Sequence, residues 1–203
     1  MRRTTSGTAD RVRLFAAVYP PPAAVADLAR RITGLRVGAA SAAGVKVRLA
    51  DPDHLHLTLA FLGEVPDDRL VDVESALGLA AQAFRDGRAG PPRLRLGGGG
   101  SFGQGHSTVL WVDVRGEADA LDTLARLVRD GLRRAELPHD DKPFRAHLTI
   151  ARPGDRVAAA DVRADREDLH RYEGPEWPAD ELVLVGSHLG RNARHTRLAA
   201  WPL

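Results

Sequence analysis

One short pattern occurs twice in the chain. His56-Leu57-Thr58-Leu59-Ala60 and His147-Leu148-Thr149-Ile150-Ala151 agree at four of five positions. Each is an apolar run carrying a histidine and a threonine two residues apart. In a β-strand, residues two apart share a face, so each copy presents His and Thr side by side and turns its leucines the other way. A histidine on an otherwise apolar strand is costly to bury without partners, and this chain accepts that cost at two equivalent places. A single copy reads as a satisfied core histidine. The pair reads as one site built from two matching strands.

The surroundings of the two copies are alike. Residues 13–19 form an apolar run stopped by Pro20, Pro21 and Pro22, and residues 23–35 carry apolar side chains at helical spacing, so a strand feeds a helix. Residues 38–44 read as a small-residue loop, and 45–49 and 54–62 as strands. Residues 67–84 open with acidic side chains and keep Leu70, Val73, Leu77 and Ala81 on one face, a second helix. Residues 93–96 alternate and run into Gly97–Gly100. No Gly-Lys-Ser/Thr follows those glycines, which predicts a flexible or bulged strand rather than a phosphate loop. A strand over 108–114, the longest amphipathic helix over 117–137 and a strand over 145–151 come next. Residues 161–172 are polar and weakly patterned, and 181–189 and 195–201 close the chain as strands. The order lacks the strict strand–helix alternation of a parallel sheet and predicts an α+β fold with antiparallel sheets, an internal duplication with no linker. Residues 11–203 are therefore expected to fold as one unit, after a polar tail at 1–10 expected to be disordered.

Composition removes several function classes. At 203 residues and 43% hydrophobic the chain can bury a proper core. Lys and Arg number 29 against 27 Asp and Glu, a net charge of +2, so the overall field argues weakly for nucleic acid. Lys46 and Lys142 are the only lysines; the remaining cations are arginines, the better bidentate partners for phosphate. With no cysteine, disulfides, thiolate zinc sites and a cysteine nucleophile are excluded. No apolar run approaches the roughly 20 residues of a membrane span, and the first ten residues lack a signal peptide's hydrophobic stretch, so a cytoplasmic protein without membrane association is expected.

The repeated residues suit displacement at phosphorus. Imidazole, with an unperturbed pKa near 6.5, can act as acid on one ring and base on the other at neutral pH. One ring takes a proton from the attacking water, and the other gives one to the departing sugar oxygen. Two threonine hydroxyls can hold the nonbridging oxygens as charge grows on them. A zinc reading would draw on His54, His56 and His147. Asp, Glu and Cys are missing from the motif strands, however, and the threonines have no role at such a metal, so no metal and no cofactor are expected.

At these residues the chain resembles the two-histidine phosphoesterase superfamily, and within it the RNA 2′,3′-cyclic phosphodiesterases, also called 2′-5′ RNA ligases. The resemblance rests on HLTLAFLG and PFRAHLTIAR, on the opening RLFAAVYPP, on VLWVDV and on the ending LVGSHLGRNARHTRLAAWPL. It implies a bilobal fold of two pseudo-symmetric lobes, antiparallel sheets facing a central cleft with helices outside, and hydrolysis of an RNA terminal 2′,3′-cyclic phosphate to a 2′-phosphate. It further implies His56 as proton donor to the leaving 3′ oxygen, His147 as the acceptor that activates water, and Thr58, Thr149 and Arg152 as phosphate-binding residues. The residue chemistry by itself leaves the two histidine roles open. Strand parity points Arg152 away from the His147 face, so its contact requires the strand to end or bulge near Ala151. The expected partner is an RNA with a cyclic phosphate end, or a small cyclic nucleotide, acted on by a monomer, with 2′-5′ ligation as a side activity. A non-catalytic RNA-end binding module is the remaining alternative. Phe61, Phe102, Trp111 and Phe144 are candidates for stacking on a base or for the core.

Overall fold

The computed structural model describes residues 10–188 and 194–203; most of the expected tail, and the end of the strand expected over 181–189, lie outside them. Among the described residues nine strands form two antiparallel sheets. The first sheet joins β1 (Arg11–Val18) and β3 (Leu57–Pro66) to β8 (Glu181–His188) and β9 (Arg194–Pro202) in the order β3-β1-β8-β9. The second runs β2-β6-β5-β4-β7, from β2 (Arg48–Leu49), β6 (His147–Arg152), β5 (Val109–Gly116), β4 (Arg93–Phe102) and β7 (Trp177–Pro178). The motif strands β3 and β6 hold comparable places, each pairing along its length with a central strand of its sheet. The duplication is interlocked, because strands from both ends of the chain complete the first sheet and a strand from the first half edges the second.

Five α-helices of the described residues cover the sheets. α3 (Leu70–Asp86) and α4 (Ala118–Arg134) pack on each other and reach β8 and β3, while α5 (Ala159–His170) lies on β4 with α1 (Pro22–Thr33) and α2 (Arg36–Ala42) alongside. One continuous apolar core runs through both halves, from Leu14, Leu57 and Leu77 to Leu124, Leu148 and Ile150. Leu57, Leu59, Leu148 and Ile150 are all buried, the inward face that strand parity gives the repeat. Among the described residues no helix is long and apolar enough to cross a membrane.

Two elements differ from expectation. The small-residue stretch after residue 35 is helix α2, not a loop, and the polar segment after residue 158 is helix α5. One residue explains both. Asp165, on α5 and fully buried, accepts hydrogen bonds from the Arg36 and Val37 backbone N–H groups (2.8 and 3.0 Å) and from the Arg36 guanidinium (3.3 Å). It thereby caps a helix whose own sequence supplies no cap. Gly38 is required where α2 turns off α1, since a Cβ there would stand 2.1 Å from the Ile32 carbonyl oxygen. Asp165→Ala would take the partner from a buried N–H group, that of Val37, and from the half-buried one of Arg36, and is expected to lower stability by about 3 kcal/mol in denaturant unfolding. A loss below about 0.5 kcal/mol would mean that water replaces the carboxylate as the cap.

Candidate active site

Both motif strands bulge directly after the threonine. In β3, Thr58 pairs with Ala17 but Ala60 pairs with Ala16, which leaves Leu59 as the extra residue. In β6, Thr149 pairs with Trp111 but Ala151 pairs with Leu110, leaving Ile150 over. One added residue reverses the facing of the residues after it. Phe61 and Arg152, which regular strands would turn inward, are instead exposed and line the same cleft as the histidines. The bulge anticipated near Ala151 is therefore present.

That cleft, about 1150 Å³, is walled by both arms: His56 and Thr58 from one, His147, Thr149 and Arg152 from the other. Each histidine is tethered in the same way. His56 Nδ1 donates to the His54 carbonyl (2.6 Å), and His147 Nδ1 donates to the Arg145 carbonyl (2.7 Å). A carbonyl only accepts, so each neutral ring carries its proton on Nδ1 and leaves the lone pair of Nε2 for chemistry. The rings rest on aromatic floors. His56 stacks on Phe15 at 4.7 Å, and His147 meets Phe102 at 5.0 Å and Trp111 at 6.0 Å in edge-to-face geometry. The Trp111 indole lies across Gly100, where a Cβ would stand 2.0 Å from it, and the Arg145 guanidinium caps it at 4.4 Å. The glycine run is thus a bulged strand: Gly98 takes φ +84, and Gly100 makes room for the floor under His147.

The electrostatics of the two rings differ. Burial in the cleft wall pushes His56 down to about 4, against the pull of the His54 carbonyl and with smaller contributions in the same direction from His195, His54 and His147. His195, on β9, stands 5.3 Å from the His56 ring and 4.8 Å from that of His54. Burial holds it too below its ordinary value, and among the described residues its buried Nδ1 has no hydrogen-bond partner. Arg13, Arg129, Lys142, Arg145 and Arg152 line the cleft against Asp51 and Asp140. Arg129 stands 3.7 Å from Asp140 and Arg145 3.8 Å from Asp113. Among the described residues Arg13, Lys142 and Arg152 make no ion pair, so the cleft carries cations without internal partners. Phe61 and Phe102 are 46% and 38% exposed at its edge, whereas Trp111 is core, which divides the stacking candidates. Among the described residues no three His, Asp or Glu side chains gather as metal ligands; His54 turns to His195 rather than joining His56 and His147 in a ligand set.

A family model described as the 2′-5′ RNA ligase superfamily matches residues 20–191. The chain belongs to that superfamily. A superfamily relative from Thermus thermophilus, an RNA 2′,3′-cyclic phosphodiesterase, is 33% identical over 187 residues, covering 88% of this chain and 83% of the relative. One of the same name from Escherichia coli is 31% identical over 156 residues, covering 74% and 77%. Among solved structures, E. coli LigT complexed with 3′-AMP superposes with a TM-score of 0.66 at 26% identity, covering 96% of this chain and 99% of that one. The crystal structure of a Thermus thermophilus protein gives 0.64 at 30% identity, with 94% and 97% covered. The superfamily fold thus spans nearly the whole chain.

Proposed function

We propose that this protein hydrolyses the 2′,3′-cyclic phosphate at an RNA 3′ end to a 2′-phosphomonoester, without a metal ion, through His56, His147, Thr58, Thr149 and Arg152. The observation that carries this reading is the pair of identically tethered histidines in one cleft, each with a threonine on its face and a bulge after it. The relatives named as RNA 2′,3′-cyclic phosphodiesterases support the substrate class.

In this scheme His147 Nε2 takes a proton from water as the water oxygen bonds to phosphorus. The bond from phosphorus to the 3′ oxygen breaks, and His56 Nε2 delivers the proton that this oxygen needs. Thr58, Thr149 and Arg152 hold the nonbridging oxygens, on which charge grows in the transition state. Both arms come from one chain, so a monomer suffices. With a 5′ hydroxyl in place of water, the same displacement joins RNA ends through a 2′-5′ bond.

A donor role for His56 has a consequence in pH. With a pKa of about 4 the ring is neutral in the empty cleft near pH 7, and a bound phosphodiester anion favours its charged form. The donor must be protonated, so activity falls as pH rises through its pKa. The profile of kcat/KM reports the free enzyme and that of kcat the complex, so the alkaline limb of kcat is expected at higher pH than that of kcat/KM. Coincident limbs would remove His56 as the donor.

The deciding experiment is turnover of a short RNA ending in a 2′,3′-cyclic phosphate in the presence of EDTA, with the product phosphate located. Conversion to the 2′-phosphate supports the proposal. Activity that appears only when a divalent metal is restored overturns metal independence, and turnover of cyclic mononucleotides alone moves the substrate to a small nucleotide.

A further inference from the structure

Beside the cleft lies a second pocket of about 460 Å³, lined by Lys46, Val47, Arg48, His106, Arg152, Gly154 and Arg156. Four of these seven residues are cations and none is acidic. Lys46, Arg48, Arg152 and Arg156 are all exposed, and among the described residues none of the four makes an ion pair or a side-chain hydrogen bond. The neighbouring Asp155 carboxylate lies against Gly105 and does not line the pocket. The backbone forces part of this crowding. Arg48 and Arg152 sit directly opposite each other where β2 pairs with β6, and like charges at opposed positions of a ladder destabilise the pair. The chain keeps both without a carboxylate between them, an arrangement that an anion would relieve.

Arg152 lines both cavities, so the pocket continues the cleft. A ligand whose terminal phosphate lies between the two His–Thr arms can pass its next phosphate across Arg152 to Lys46, Arg48 and Arg156. We infer that this pocket binds the backbone phosphate of an RNA strand upstream of the cyclic end, making the protein an oligonucleotide enzyme rather than one for mononucleotides. The inference rests on the proposed function. The terminal phosphates of a free nucleotide offer the same chemistry, and strand length separates the two sources.

The test compares wild type with the triple variant Lys46→Ala, Arg48→Ala, Arg156→Ala. Binding of a fluorescently labelled six-residue RNA ending in a 2′-phosphate is followed by anisotropy across a salt series, with a nucleoside 2′-phosphate as competitor. The variant is expected to bind the RNA at least about 10-fold more weakly, with a slope of log affinity against log salt shallower by roughly 2, at about 0.7 for each single-strand phosphate charge it no longer neutralises. Its affinity for the nucleoside 2′-phosphate is expected to stay within about twofold, which also shows the cleft intact. Unchanged RNA binding, or equal loss for both ligands, overturns the inference. The exposed single variant Arg156→Glu, expected to weaken RNA binding severalfold, decides the matter if the triple variant does not fold. Because binding of product-ended RNA needs no turnover, its result is independent of whether wild type hydrolyses the cyclic end.

Discussion

Removing either histidine is expected to lower kcat/KM on RNA 2′,3′-cyclic ends by about 10² to 10⁴, the usual contribution of a positioned acid or base. The two losses should differ with the leaving group. A departing 3′ oxygen is a poor leaving group and needs its proton, whereas p-nitrophenolate leaves unaided. On a p-nitrophenyl phosphodiester, His56→Ala should therefore recover most of its activity relative to wild type, and His147→Ala should not, since water still has to be deprotonated. The opposite pattern would exchange the roles. Losses below about tenfold for both variants on RNA would leave the histidines as binding groups, because uniform binding lowers KM without supplying a rate. His56 and His147 are both partly accessible at the start of their strands, so neither truncation opens the core. An activity loss can then be read as chemistry.

The features legible in the sequence were those governed by local period. Strand parity placed His56 with Thr58 and His147 with Thr149, and it buried Leu57, Leu59, Leu148 and Ile150, because a repeat of two residues needs no tertiary information. Helices α3 and α4 were legible from their apolar stripes. Helix α2 was not, because its cap, Asp165, comes from the other half of the chain. Helix α5 buries only Val162, Asp165 and Leu169, and a buried carboxylate in that row breaks the apolar pattern that would have marked it. His195 was missed as a member of the site for a related reason. Its place near His56 follows from β9 joining the first sheet through β8, and no local signal carries sheet order. Arg145 left a fainter trace, since it stands two residues before His147 as His54 stands before His56, and in each case that residue's carbonyl holds the ring.

Arg152 is the residue at which local period and structure part most sharply, and its replacement carries the second large expected effect. In a regular strand it would share the inward face of Leu148 and Ile150. The bulge at Ile150 turns it to the cleft, and the matching bulge at Leu59 turns Phe61 to the opposite wall. The two-fold frame is thus preserved while the chemistry at the two positions is not: one wall offers a guanidinium and the other a ring. If Arg152 meets the nonbridging oxygens, its contribution grows as their charge grows. Arg152→Ala is then expected to lower kcat by about 10² to 10³, comparable to removing one preformed oxyanion donor, with a smaller change in KM. Arg152→Lys should restore only part of this loss, because an ammonium supplies the charge but not the planar pair of donors that two phosphate oxygens accept. Steady-state kinetics on one cyclic-ended RNA distinguishes the cases. A loss confined to KM would make Arg152 an anchor for the substrate's ground state. Full rescue by lysine would mean that charge alone is required there, and that the bulge serves to bring any cation to the phosphate.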